Sequence, residues 1–368
     1  MASALLQKRR ALFSEWKGAD DEPTSLLGAG KYGNVYRTAL PQTVVKQTQN
    51  RKTSAQQQAF MEHAVGILQT LLVLKGYTPH LAIHFGTQIE VSRGLMRGRM
   101  YMEKCAGSLQ DLGQAILKNS EDWVSLTFQI VHALAVLAEF LELTHNDLYP
   151  RNVLIQDHAQ DNLEAHYMVR QKMFTVPWPF LVVLTDFGIA SSATLMNQDS
   201  APPITRRIIS HDPGEHFGAQ PPFKHILCYR VLPPFSRDLY ALLKWCSFPT
   251  NSLPLAPDRV IEWAKEGLRI LDSQRKQFDR ASSVAGFLLH FFSRDTLYNA
   301  ELPLLKEKAD VRVDFYHDPS PARRATLLKE GAKILESICT NASAKARSQT
   351  VDFANTSFAK ELRDDGQQ

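Results

Sequence analysis

The stretch His145-Asn146-Asp147-Leu148-Tyr149-Pro150-Arg151-Asn152 is followed, 34 residues after its last member, by Asp186-Phe187-Gly188. Together they place one candidate base and two candidate metal ligands in a short length of chain. An Asp five residues ahead of an Asn suits a loop on which the Asp accepts a proton from a hydroxyl and the Asn ligates a metal ion. Asp186, delivered by the apolar run 180–185, supplies the second ligand. Phosphoryl transfer is the chemistry to which this pattern points.

Such chemistry needs a lid for phosphates, and one is available upstream. Gly28-Ala29-Gly30-Lys31-Tyr32-Gly33-Asn34-Val35 fits G-x-G-x-x-G-x-V at every fixed position. Leu26-Leu27 before it and Val35-Tyr36 after it read as two strands joined by the glycines, so that backbone amides could approach phosphates with no Cβ in the way. Taken alone, the same segment has an ordinary hairpin turn as its alternative reading. Thirteen residues beyond Gly33, the β-branched run Thr43-Val44-Val45 ends in Lys46, where V-A-I-K would place a phosphate-binding cation.

The order of these four signals resembles the eukaryotic-type protein kinase family, over about residues 22 to 295. The resemblance implies an α+β, two-lobed protein-kinase-like fold. Its small β-rich N-lobe carries one main helix, and its larger C-lobe is mainly helical. The expected division is an N-terminal extension at 1–21, an N-lobe at 22–104, a C-lobe at 105–340 and a polar tail at 341–368. It further implies ATP and Mg²⁺, with Mn²⁺ as an alternative, bound by Gly28, Ala29, Gly30, Gly33, Val35 and Lys46. Asp147 would be the base, and Asn152 and Asp186 the metal ligands. Met102 would screen the back of an adenine pocket whose edge meets backbone groups of Glu103 and Cys105.

Composition agrees. A chain of 368 residues has room for two cores, and 44% apolar residues is ordinary for a globular protein. A formal charge of +4 is too mild to require nucleic acid. Cys105, Cys228, Cys246 and Cys339 form no C-x-x-C pair and read as free thiols in a reducing compartment. The start lacks the apolar core of a signal peptide, and no run of about 18 apolar residues occurs. An intracellular, soluble protein is expected, in cytoplasm or nucleus, or in a host cell or virion if viral, with ATP and a protein substrate as partners and no membrane. Its oligomeric state stays open.

Along the chain, Leu5, Leu6, Leu12, Phe13 and Trp16 predict an amphipathic helix over 3–17, packed on the small lobe rather than on a membrane. Phe60, Ala64, Ile67, Leu68, Leu71 and Leu72 predict a second helix; by resemblance its Glu62 braces Lys46. Strands are expected at 81–91 and 99–103. Trp123 to Leu141 predicts a long buried helix that delivers the chain to His145. A hairpin insert is expected from Ala165-His166-Tyr167-Met168-Val169 and Met173-Phe174-Thr175-Val176, closed by Pro177-Trp178-Pro179. It is similar to inserts in divergent kinases of the haspin type and of large DNA viruses. Helices are expected at 259–271, 281–292 and 320–338, and the last thirty residues read as loose.

Several positions depart from the family pattern. Asn146 stands where H-R-D has arginine, which suggests that a phosphate on the activation segment is not needed to order the site. Tyr149 replaces a lysine. Arg151 either supplies the missing cation beside the γ-phosphate or is a structural ion-pair partner. No A-P-E follows the D-F-G. Asp238 resembles the helix aspartate that supports the catalytic loop. The expected activity is transfer of the ATP γ-phosphoryl group to a protein hydroxyl, on Ser/Thr rather than Tyr. A small-molecule kinase of the choline or aminoglycoside type, or a nucleotide-binding pseudokinase, is the alternative.

Overall fold

The computed structural model describes residues 2–16, 23–30, 33–50, 53–92, 95–156, 163–192, 232–247 and 253–303, with short stretches at 305, 314–317, 320, 322–327, 329 and 349–351. Lys31-Tyr32 of the glycine segment, the start of the insert at 157–162 and the segment 193–231 after the D-F-G lie outside the described residues. So does most of the tail.

The fold is mixed α and β. Among the described residues, six strands form one antiparallel sheet in the order β1, β2, β3, β5, β4, β14. Their ranges are β1 Leu26–Gly30, β2 Gly33–Arg37, β3 Thr43–Asn50, β4 His84–Ser92, β5 Leu95–Glu103 and β14 Gln349–Val351. On β3, Val45 turns into the main core while Val44 faces the other way, onto Met100, Met102 and Val35. Side chains alternate along a strand, so Lys46 shares the face of Val44. The register sets Val35 and Met100 directly opposite Lys46 on the two flanking strands.

Helix α1 (Ala2–Glu15) and helix α2 (Thr53–Leu74) cover the core face. Phe13 stacks on Phe85 at 6.3 Å, and Trp16 on the same ring at 5.9 Å; burying each aromatic side chain contributes roughly 2 kcal/mol. The expected packed helix at the start is therefore present. α2 lies so close on β4 that a Cβ at Gly66 would meet His84 Nδ1 at 2.4 Å.

The remainder is built on α4 (Ser120–Leu141), which follows the short α3 (Leu109–Ile116). A capping box of Asn119 and Asp122 starts α4, and Glu142, in the left-handed region at φ 48°, ends it. Among the described residues only α4 is long and apolar enough to cross a membrane, and its most apolar stretch is wholly buried inside the protein. Around it pack α5 (Pro234–Ser247), α6 (Asp258–Ser273), α7 (Ser282–Phe291) and α8 (Arg294–Asn299). Of the helix expected at 320–338, residues 322–327 and 329 are helical, residue 320 is not, and the rest lie outside the described residues.

Small sheets carry the loops. β6 (Gly107–Ser108), β8 (Val153–Gln156) and β11 (Leu181–Leu184) form one, and β7 (Leu143–Thr144) pairs with β12 (Ser191–Ser192). The insert hairpin is longer than its sequence suggests, with β9 Leu163–Val169 and β10 Lys172–Trp178. β13 (Phe315–His317) pairs with β9 in parallel. Trp178 ends inside the core, donating to the Tyr167 hydroxyl at 2.8 Å, and His80 meets the same oxygen at 2.7 Å. The tail also differs from expectation. Gln349–Val351, read as loose, adds an edge strand to β4, because a free strand edge offers backbone partners whatever the side chains.

Candidate active site

Three distant stretches converge on Lys46. Its Nζ lies 2.5 Å from Glu62 Oε1, on α2, and 3.4 Å from Asp186 Oδ1, just past β11. Burial alone would lower the lysine's pKa, yet the Glu62 and Asp186 carboxylates hold it above its ordinary value. Burial pushes the Glu62 carboxyl up to about 7 against the pull of Lys46. Asp186 is held below its ordinary value: burial opposes this, but Lys46 and His145 outweigh it. The sequence-based pairing of Lys46 with Glu62 is thus present in the structure.

The 145–152 segment is pinned from below by Asp238 on α5. Asp238 Oδ2 accepts the His145 amide at 2.7 Å and Oδ1 accepts the Asn146 amide at 2.9 Å. His145 Nε2 donates to Thr185 O at 2.9 Å, and its Nδ1 accepts the Asp147 amide at 3.2 Å. These partners assign the Nε2–H tautomer. The His145 ring also lies 4.4 Å from Phe187 of the D-F-G. Asn146 and Asp186 both take left-handed backbone angles, φ 63° and 64°. Non-glycine residues rarely adopt these, and they cluster where the surrounding structure fixes a site.

Asn146 has a role that the H-R-D comparison only hinted at. Its Nδ2 donates to Ile189 O at 3.1 Å and Ser191 Oγ at 2.9 Å, and Ser191 Oγ also meets Thr144 Oγ1 at 2.8 Å. The chain after the D-F-G is therefore tied to the 145–152 loop by neutral hydrogen bonds.

Asn152 Nδ2 donates to Asp147 O at 2.7 Å and Asp147 Oδ2 at 3.0 Å. Both amide protons are used, which leaves Oδ1 as the atom able to ligate a cation. The Asp147 carboxyl is raised above its ordinary pKa, first by burial and further by Asp186, while His145 and Arg151 oppose the rise. Arg151 lies 3.6 Å from Asp147 and its guanidinium sits 5.0 Å from the centre of the Tyr149 ring. It is half exposed, so as an ion pair it contributes little to stability. Among the described residues no group of three or more His, Cys, Asp or Glu side chains could hold a metal ion. The Asp186 carboxylate and Asn152 Oδ1 are hard oxygen donors that could ligate Mg²⁺ if phosphates and water completed its shell.

A Cβ on Gly33 would lie 2.5 Å from Gln47 O, whereas one on Gly28 would meet nothing within 4 Å. Gly33 is thus required by the close approach of β3, not by a ligand alone. Ala29 and Gly30 lie on β1 and pair with Asn34 and Gly33. Val35 packs on the Val44, Met100 and Met102 patch, so these four apolar residues line the sheet face that carries Lys46.

At residues 103–105 the structure adds something that the sequence reading missed. The Glu103 amide donates to Ile83 O at 3.0 Å. Its side chain is buried against Arg9 of α1. Burial raises the thiol pKa of Cys105. A signal for Arg9 did exist. Leu6, Arg9 and Phe13 fall at spacings of three and four on one face of α1, Trp16 follows just past its end, and all four are buried.

No family model matches the chain, and no curated protein matches it.

Proposed function

We propose that the protein is an ATP-dependent kinase that transfers the γ-phosphoryl group to a protein hydroxyl, on serine or threonine. In this reading the six-stranded sheet with α1 and α2 is the small lobe of a two-lobed, kinase-like fold, and the helical remainder is the large lobe. One observation carries it: Lys46, Glu62 and Asp186, from three separate stretches, meet within 2.5 and 3.4 Å, next to the Asp147 and Asn152 pair. A buried cation shared by two carboxylates, beside a base and an amide oxygen, is more than a fold needs for stability.

The roles follow from placement. Lys46, braced by Glu62, would hold the α- and β-phosphates, and β1 with β2 would cover them. The Val35, Val44, Met100 and Met102 patch would receive the adenine ring, with residues 103–105 along its edge. Asp147 would orient the hydroxyl and take its proton, a task that suits a carboxyl raised by burial. Mg²⁺, held by Asp186 and Asn152, would neutralise phosphate charge. Little covalent chemistry is asked of the protein, so positioning and charge carry the acceleration. Four cysteines with no C-x-x-C pair support a reducing, intracellular setting.

The test is to incubate the purified chain with labelled ATP, Mg²⁺ and a mixed protein substrate, and to identify acceptors by mass spectrometry. Label on serine or threonine supports the reading. Label only on choline or an aminoglycoside, offered in parallel, replaces it with the small-molecule alternative. Nucleotide binding with no acceptor, the chain itself included, replaces it with the pseudokinase.

A further inference from the structure

The Arg9 side chain is 2% exposed and its partners are Glu103 and the backbone at 79–81. Its Nε donates to Glu103 Oε2 at 3.0 Å, one Nη donates to Pro79 O at 2.5 Å, and the other donates to Leu81 O at 2.6 Å and to Glu103 Oε1. The Glu103 carboxylate takes two further donors, the Ile83 amide at 2.9 Å and Gln156 Nε2 at 2.8 Å. Gln156 ends β8, the strand that leaves Asn152. One carboxylate therefore joins α1, the chain entering β4, the end of β5 and the strand behind the 145–152 loop. Among the described residues the neighbouring Arg10 donates to Leu74 O, at 2.9 and 2.5 Å.

A stability role alone does not require this arrangement, since a buried ion pair is a costly way to dock a helix that already buries Phe13 and Trp16. What the charges add is direction. A planar guanidinium bonded to a carboxylate and two carbonyls admits one orientation, and it fixes Glu103 at the point where the chain passes from the sheet to residues 104–108. We infer that Arg9 is a positioning residue for the nucleotide pocket. Helix α1 is then part of the ATP site, holding the 103–105 edge at the distance an adenine requires. The inference rests on the kinase reading above.

The test compares the full chain with Arg9→Met, Arg9→Lys, Glu103→Gln and Arg10→Met. Mg·ATP affinity is read by calorimetry, KM for ATP, KM for the acceptor and kcat by steady-state turnover, and fold by circular dichroism. Arg9→Met should raise both the Kd and the KM for ATP roughly tenfold, with kcat and the acceptor KM within about twofold. Arg9→Lys should fall between, because an ammonium keeps the charge but not the fork. Arg10→Met, which loosens α1 without touching Glu103, should leave the ATP constants unchanged. If Arg9→Met does not fold, Arg9→Lys and Glu103→Gln carry the comparison with a smaller shift of the same kind. Unchanged ATP constants in folded Arg9 variants, or an equal rise in Arg10→Met, would overturn the inference while leaving the kinase reading in place. An unmodified chain that binds no Mg·ATP would remove the reading itself, and this inference with it.

Discussion

Asp238→Ala removes the support beneath the 145–152 loop, and its cost can be worked from two hydrogen bonds. The Asp238 carboxylate is 4% exposed and accepts the His145 and Asn146 amides at 2.7 and 2.9 Å. Alanine leaves two buried N–H groups with no acceptor, at about 1–3 kcal/mol each. Part of this is returned, because burial raises the Asp238 pKa and so already disfavours its charged form. The expected net loss is about 3 kcal/mol, made worse by Asn146, whose left-handed backbone is held in place by the same bond. Asp238→Asn keeps one acceptor and turns an NH₂ toward the other amide, so it should cost about half as much. Urea unfolding followed by tryptophan fluorescence gives both numbers from midpoints at constant slope. The reasoning fails if Asp238→Ala shifts stability by less than about 0.5 kcal/mol, or if Asn costs more than Ala.

Three further outcomes follow. His63, His80 and His84 are buried, and burial first of all lowers each pKa from 6.5 to about 3. The folded state binds fewer protons, so their contribution is complete above pH 6.5 and is lost as pH falls toward 3, at up to about 1.4 kcal/mol per pH unit for each; a urea midpoint unchanged between pH 7 and 5 would contradict this. Gly33→Ala, whose Cβ would press on Gln47 O, should destabilise by about 1–3 kcal/mol, whereas Gly28→Ala should stay within about 0.5 kcal/mol in the same unfolding assay. Glu62 must be ionised to hold Lys46, so with its pKa near 7 turnover should rise with pH through neutrality, and Glu62→Gln should remove that limb from the pH–rate profile.

What could be read from sequence was the local chemistry. An Asp, an Asn and a D-F-G suggest their chemistry by their own side chains, and hydrophobic spacing marked α2, where Ile67, Leu68, Leu71 and Leu72 are buried, and α4, which is buried along almost its whole length. The pairing of Lys46 with Glu62 was implied by the family resemblance, and the regularity of α2 only singled out which carboxylate it would be. The Arg9 and Glu103 pair was not: the partners are 94 residues apart, and a basic run beside an apolar stripe reads as a solvated face until the stripe is seen to include Arg9. That β3 also requires a glycine at position 33 was not legible, because spacing cannot reveal a close approach between strands. The strand at Gln349–Val351 has no apolar alternation, since its bonds to β4 are backbone ones. Asn146 was recognised as a missing arginine, while its bonds to Ile189 and Ser191 required the fold.

The central claim is that Asp186 and Lys46 serve a transferred phosphate and not the fold. Its most direct test is Mg²⁺-dependent transfer of label from ATP to protein by the unmodified chain, Asp186→Asn and Lys46→Met, each checked for native circular dichroism. The account predicts transfer by the unmodified chain and a loss of at least roughly a hundredfold in both folded variants. Near-unmodified turnover in Asp186→Asn would contradict it.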